Sequence, residues 1–250
     1  MIDVIFKGPY CKLKGKFYQD QNLTSPVVLI LYPESKTDEI PESVNSVASL
    51  MKENGFSVFL FNFSRIENDV KIELDQSQKK EQELFEVISV LNWLNEKYYD
   101  GKILWLFSFF STCSVGLQVV MRRPEITDYI LFSPPAKMKD FSFVVPCSST
   151  GLIVYEENIP NSVEEITEKL SSKSDSHIET IPLEDVNISK NENIDELIEL
   201  LGEYIKKRLS EDSGKIKKIK RDRRRRKKKK NPIEEEKSIH VVPIKSLDFD

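Results

Sequence analysis

Apolar residues along the first two hundred positions form short unbroken runs that alternate with longer stretches of helical spacing. A short unbroken run such as Val27–Leu31 is expected of a strand that is buried on both faces. The predicted strands are Ile2–Phe6, Leu13–Phe17, Val27–Leu31, Phe56–Phe61, Ile103–Phe107, Tyr129–Phe132, Leu152–Tyr155 and Ile178–Ile181. Apolar stripes at helical spacing predict helices between and after them. The predicted helices are Ser43–Asn54, Lys79–Tyr98, Cys113–Arg122, Val163–Leu170 and Ile194–Leu209.

This order of elements predicts an α/β fold. Strands that alternate with helices form a mostly parallel central sheet with helices on both faces. The first two strands flank a turn at Gly8-Pro9 with no helix between them, so we expect an antiparallel N-terminal edge. After Leu209 the apolar periodicity ends, and charged residues dominate. The sequence therefore predicts one domain over residues 1–209 and a disordered tail over 210–250.

The charge of the chain is unevenly distributed. Residues 1–214 carry a net charge of −13, whereas the polybasic run 215–230 carries +12. The cations of this run are Lys215, Lys217, Lys218, Lys220, Arg221, Arg223, Arg224, Arg225, Arg226, Lys227, Lys228, Lys229 and Lys230. They are candidates for electrostatic contact with RNA or an anionic membrane, and the alternative is a solvated extension that folds back on the acidic body. No aromatic residue interrupts the run, which argues against base stacking.

Cysteine usage and apolar content indicate a cytoplasmic protein. The three cysteines are widely spaced and form no C-x-x-C pair, as expected in a reducing compartment. The N-terminal residues lack the basic and apolar regions of a signal peptide, and we expect no transmembrane segment because no apolar stretch reaches ten residues. We also expect no cofactor and no metal, since no motif or cluster of ligands for either occurs.

A series of short motifs identifies a resemblance over residues 1–209. In chain order they are Gly8-Pro9, Leu13-Lys14-Gly15, Asn62-Phe63, Asn92-Trp93-Leu94, Met121-Arg122-Arg123-Pro124-Glu125-Ile126, Ser133-Pro134-Pro135-Ala136, Asp140-Phe141-Ser142-Phe143 and Pro146-Cys147-Ser148-Ser149-x-Gly151. The series resembles a group of small bacterial alpha/beta hydrolases. The resemblance implies an alpha/beta-hydrolase-like fold, in which a Gly-x-Ser-x-Gly elbow between a strand and a helix holds the nucleophilic serine.

The elbow motif is missing from this chain, because no two of its eight glycines lie four residues apart. Counting back from Met121 without gaps, the resemblance places the nucleophile at Phe110. An alternative alignment with two compensating gaps places it at Ser108, with Leu106 and Phe110 where the family has glycines. Neither alignment gives a normal elbow, since glycines let the backbone of the elbow pack closely and adopt a strained conformation. The ungapped alignment is favoured.

The other parts of the hydrolase site also depart from the family pattern. The family's histidine falls on Val186, while His177 and His240 lie elsewhere. The acid loop corresponds to Glu156–Pro160 and has no clear aspartate. The oxyanion loop corresponds to Tyr32–Lys36, which has neither the histidine nor the glycine of the family. A serine hydroxyl without a general base is a poor nucleophile at neutral pH.

These departures predict a catalytically degenerate alpha/beta-hydrolase-like protein that acts by binding an unknown protein partner or small ligand. Two alternatives stay open. One is an active serine hydrolase on ester or acyl substrates, with Ser108 as nucleophile. The other is polyanion binding through the basic tail. We interpret Cys113 as a structural residue of a core-facing helix rather than a replacement nucleophile.

Overall fold

The computed structural model describes residues 1–22, 24–34, 39–66, 76–98, 104–135, 142–156, 160–173, 177–184 and 186–211. The chain divides into two compact units, Met1–Gly202 and Glu203–Asp250. In the second unit only residues 203–211 are described, and they are helical. The polybasic run 215–230 and most of the predicted tail lie outside the described residues. No described helix has the length and apolar character needed to cross a membrane.

The eight predicted strands and five predicted helices are all present. The strands are β1 Ile2–Lys7, β2 Lys12–Tyr18, β3 Val27–Leu31, β4 Ser57–Phe61, β5 Arg65–Ile66, β6 Leu104–Phe109, β7 Ile126–Phe132, β8 Thr150–Glu156 and β9 Ile178–Leu183. The helices are α1 Glu42–Glu53, α2 Gln76–Lys97, α3 Cys113–Val120 and α4 Pro160–Lys173, with a 3-10 turn at Phe110–Thr112 and a last helix, α5, over residues 194–211. The two-residue strand β5 was not predicted.

All nine strands belong to one sheet. Its order is β1-β2-β4-β3-β6-β7-β8-β9, and β5 pairs with β2. The strands from β4 to β9 in this order are parallel, whereas β2 is antiparallel to both β1 and β4. The predicted α/β fold with an antiparallel N-terminal edge is therefore confirmed. Strand β6 occupies the centre of the sheet, between β3 and β7.

Complete burial of the central strands shows that helices or loops cover both faces of the sheet. Every residue of β3, β4 and β6 is buried, although successive side chains of a strand point to opposite faces. This burial on both faces explains why the strands are unbroken apolar runs in the sequence. The carboxyl ends of the parallel strands meet at one edge, where open α/β sheets bind their ligands.

Helix α2 is anchored to the antiparallel edge by Trp93, the central residue of the Asn-Trp-Leu motif. The Trp93 ring lies 5.5 Å from the Phe59 ring, 5.9 Å from Phe6 and 6.2 Å from Phe17, measured between centroids. Rings at these separations attract each other beyond the effect of their buried area. The motif therefore has a structural explanation, because one tryptophan joins a helix to three strands.

Candidate functional site

A tight turn joins the central strand β6 to helix α3 at the carboxyl edge of the sheet. Phe110 is the first residue after β6, and its φ of 52° lies in the left-handed region. A bulky residue rarely adopts this conformation, because its Cβ crowds the backbone. Phe63 after β4 and Ser133 after β7 also have positive φ values, of 61° and 44°. Three strand ends at this edge thus hold strained residues, and such strain is concentrated at functional sites.

Ser108 lies inside β6 and not in the turn. It is paired with Leu31 of β3 and Leu131 of β7, and its side chain has no solvent exposure. The Ser108 Oγ atom has no hydrogen-bond partner among the described residues. A substrate cannot reach this hydroxyl without displacing part of the core.

The room for the Ser108 side chain is provided by Gly116 of α3. A Cβ atom placed on Gly116 would lie 3.0 Å from Ser108 Cβ and closer still to Ser108 Oγ. Real Cβ atoms essentially never approach another heavy atom closer than 3.0 Å. Sequence analysis did not identify this contact, although glycine inside a helix, where it is unfavourable, was a signal of close packing.

Thr112 ties the turn to the end of β3. Its Oγ1 atom accepts a hydrogen bond from the Phe109 N–H at 3.0 Å. The hydroxyl can donate to the Leu31 carbonyl at 3.1 Å or to the Phe109 carbonyl at 2.8 Å. The side chain is buried, so these bonds satisfy a group that would otherwise be costly to desolvate. The positions two residues before and after Phe110, where the family has glycines, hold Ser108 and Thr112. The turn forms without those glycines because Gly116 leaves room for Ser108 and the hydrogen bonds above satisfy Thr112.

Cys113 begins α3 and is completely buried. Its Sγ atom lies 3.2 Å from the Ser108 carbonyl oxygen and 3.5 Å from that of Phe132, and the thiol can donate to either. Burial raises the pKa of the Cys113 thiol well above its ordinary value. Since the thiolate is the reactive form, this side chain is suited to packing and not to attack on a substrate.

The loop after β9 is joined to the end of β8 by a hydrogen bond that involves no imidazole. The Ile188 N–H donates to Glu156 Oε1 at 3.2 Å, between the loop after β9 and the end of β8. Val186 lies in the same loop and is buried. His177 lies at the opposite end of β9, with a largely exposed side chain whose Nε2 is 3.3 Å from Glu179 Oε1.

A shallow pocket of about 430 Å³ opens beside the turn. Its lining includes Pro33, Glu34, Phe63, Lys79, Ser111 and Thr112. These residues come from the loop after β3, the end of β4, the start of α2 and the turn itself. The pocket thus lies at the carboxyl edge of the sheet and combines both signs of charge with apolar surface. No group of residues suited to hold a metal ion occurs in the described part of the chain.

Comparison with known proteins finds solved structures of alpha/beta-hydrolase-like proteins with a similar fold. No protein-family model matches the sequence. An uncharacterized protein of Rickettsia prowazekii is 25% identical over 190 residues, which are 71% of this chain and 76% of the relative. A protein of unknown function from Agrobacterium tumefaciens, described as a candidate alpha/beta hydrolase, is 28% identical with a TM-score of 0.68. The match covers 84% of this chain and 97% of that one.

A second solved structure, an alpha-beta serine hydrolase homologue from Coxiella burnetii, has 20% identity and a TM-score of 0.64. That match covers 81% of this chain and 96% of the other. The chain has an alpha/beta-hydrolase-like fold. The resemblance inferred from the ordered motifs is therefore confirmed for the fold.

The Met-Arg-Arg-Pro-Glu motif of this hydrolase-like protein fixes the end of α3 against α2. Arg123 Nε donates to Glu125 Oε1 at 2.6 Å, and Arg123 Nη1 donates to Asn92 Oδ1 at 2.8 Å. Partial burial acts to raise the pKa of Glu125. The hydrogen bond and charge of Arg123, together with hydrogen bonds from the backbone and Asn95, outweigh it and hold the pKa below its ordinary value. Arg122 donates to the Gln118 carbonyl at 2.9 Å. The motif has a structural explanation and needs no ligand.

Some predicted site residues lie outside the described part of this hydrolase-like protein. They are His240, residues 157–159 of the acid loop, residues 35–36 of the oxyanion loop, and the thirteen cations from Lys215 to Lys230. The assignment of those cations to polyanion binding stays a prediction. Phe110, Ser108 and Val186 are all described: Phe110 lies in the turn after β6, Ser108 inside β6, and Val186 in the loop after β9.

Proposed function

We propose that this alpha/beta-hydrolase-like protein is catalytically degenerate and acts as a binding protein. The observation that carries the proposal is the side chain at the turn after β6. In alpha/beta hydrolases the nucleophilic serine occupies a strained strand-to-helix turn. Here the strained residue is Phe110, whose ring offers neither a nucleophilic atom nor a proton to transfer.

The alternative nucleophile, Ser108, is poorly placed for chemistry. Its hydroxyl points between the sheet and α3 at Gly116, and a reacting carbonyl would need to lie about 3 Å from it. A general base would have to lie within hydrogen-bond reach of the same atom. Among the described residues the single imidazole belongs to His177, at the amino end of β9. Val186 supplies no base at the position that the family gives to histidine.

The pocket beside the turn supports binding in place of catalysis. Its Ser111 and Ser114 hydroxyls and Lys79 offer polar contacts, while Phe63 and Val115 offer apolar ones. Seven of the ten lining residues are polar or charged, so the pocket favours a polar ligand. The turn presents this surface rigidly, because Thr112 holds it against β3.

Ester hydrolysis tests the proposal. With a chromogenic short-chain acyl ester, we expect the full chain, Ser108→Ala and the exposed-site control Ser111→Ala to give the same rate as buffer, within about twofold. Loss of the nucleophile from a working triad enzyme lowers kcat by about a millionfold. A wild-type rate that exceeds that of Ser108→Ala by a thousandfold would show that the protein is an active hydrolase.

A further inference from the structure

The exposed apolar side chains of the described residues are concentrated at β1. Of the six large hydrophobic residues that are exposed, Met1, Ile2, Ile5 and Tyr10 lie in the first ten positions. Ile5, in the middle of the strand, is 58% exposed. Scattered exposed apolar residues need no explanation, but Ile2 and Ile5 on the edge strand β1, with Met1 and Tyr10 beside it, indicate an interaction surface.

The two ends of the sheet differ in their protection against pairing with another chain. Strand β9, at one end, contains Pro182, which has no N–H to donate to a new strand. Both edge strands carry charged residues, Glu179 on β9 and Asp3 and Lys7 on β1, so the proline is what distinguishes them. Strand β1, at the other end, has six residues without a proline. No described strand pairs with its outer edge. Edge strands of this length without a proline are templates for strand addition, and their charged residues restrict which strand can pair with them.

The backbone groups that face outward from β1 can be identified from its pairing with β2. The Gly8 N–H donates to the Cys11 carbonyl at 2.8 Å, and the register continues through Lys7 opposite Lys12. In an antiparallel ladder, alternate residues direct their N–H and C=O groups to the same neighbour. The even-numbered residues of β1 therefore bond to β2. Asp3, Ile5 and Lys7 direct their backbone groups to the free edge.

We propose that β1 pairs antiparallel with β1 of a second copy of this chain, with Ile5 opposite Ile5 on a twofold axis. In this register Asp3 lies opposite Lys7 of the second copy, and Val4 lies opposite Phe6. The sequence Asp-Val-Ile-Phe-Lys is thus complementary to itself, with an ion pair at each end and apolar pairs between them. The outward-facing backbone groups of Asp3, Ile5 and Lys7 are also the ones that this register requires.

Neighbouring registers lack this complementarity. A shift that places Val4 or Phe6 on the axis puts Ile5 opposite Asp3 or Lys7 and removes both ion pairs. Within one chain, Lys7 lies opposite Lys12 on the same face of the hairpin, which is an unfavourable like-charge pair. Asp3 of the second copy would bring a negative charge beside them. Because two six-residue strands bury less than a standard interface, we expect a dissociation constant roughly in the micromolar range.

Sedimentation of the full chain tests the dimer. We expect wild-type protein to dimerise, and Asp3→Lys and Lys7→Asp each to weaken dimerisation at least tenfold. Asp3→Lys also removes the ion pair that Asp3 forms with Lys14 of its own chain at 3.4 Å, so Lys7→Asp is the decisive single variant. The double variant Asp3→Lys with Lys7→Asp should regain the dimer, because the charges are exchanged and not removed. Lys7→Asp also places opposite charges on the hairpin at Lys12, so its effect cannot be attributed to misfolding. Glu165→Lys, exposed on α4, is the control and should dimerise as wild type.

A cysteine at the twofold axis gives an independent measurement. Directly opposed, hydrogen-bonded residues of antiparallel strands have Cα atoms about 5.5 Å apart, which a disulfide can bridge. We expect Ile5→Cys to form a covalent dimer on mild oxidation, while wild type and Phe85→Cys do not. A wild-type chain that stays monomeric at about 100 times the expected micromolar constant would overturn the proposal. So would a dimer that is insensitive to both charge reversals.

Discussion

Gly116→Ala is expected to destabilise the protein by about 3 kcal/mol, the upper end of the usual cost of overpacking. The new methyl group would lie 3.0 Å from Ser108 Cβ and closer to its hydroxyl. Ser108 cannot move away, since it is buried in the central strand between β3 and β7. Alanine favours a helix by about 1 kcal/mol over glycine, so any net loss of stability must come from the contact. Urea denaturation of the purified variant and of wild type measures this difference in the free energy of unfolding.

Rescue by a second substitution separates this contact from other effects of the alanine. In the Gly116→Ala background, Ser108→Gly removes the side chain that collides with the methyl group. We expect the double variant to be within about 1 kcal/mol of wild type, the usual cost of a glycine in a strand. Additive losses from the two substitutions would show that Ser108 and Gly116 do not share the space between β6 and α3.

Phe109→Ala is expected to lower the free energy of unfolding by about 3–5 kcal/mol, as typical for a buried aromatic residue. The Phe109 ring is fully buried and stacks on Phe132 with a centroid distance of 4.3 Å. Phe110→Gly is the matched control. Its neighbouring ring is only half-buried, and glycine tolerates the φ of 52° without strain. We expect the control to change the free energy of unfolding by less than about 1 kcal/mol. This difference would show that the Phe109 ring stabilises the turn and that the Phe110 ring does not.

The fold could be predicted because burial leaves a simple pattern in the sequence. The unbroken run Val27–Leu31 marks a strand that is covered on both faces, and the structure places it there. The end of β6 was harder, because the apolar pattern predicts a strand that ends at Phe107, one residue before Ser108. The strand continues two residues beyond the predicted Phe107 because Gly116 makes room for Ser108. That contact lies between β6 and α3, and the sequence of neither element by itself reveals it.

The short strand β5 shows a second limit of sequence analysis. Its two residues, Arg65 and Ile66, are too few to form a pattern, and they are a strand only because they lie opposite Leu13 and Lys12 of β2. At the site, the position of Phe110 followed from counting back from Met121, but its left-handed backbone did not. A phenylalanine gives no local signal for that conformation, which the surrounding hydrogen bonds of Thr112 impose.

Labelling with a fluorophosphonate probe tests the central claim most directly, because the probe reacts only with an activated serine and needs no knowledge of the substrate. The intact mass of the full chain would be measured after incubation with the probe, beside Ser108→Ala and a known serine hydrolase. We expect no mass increase for either form of this protein. Stoichiometric labelling of wild type that is lost in Ser108→Ala would contradict the account.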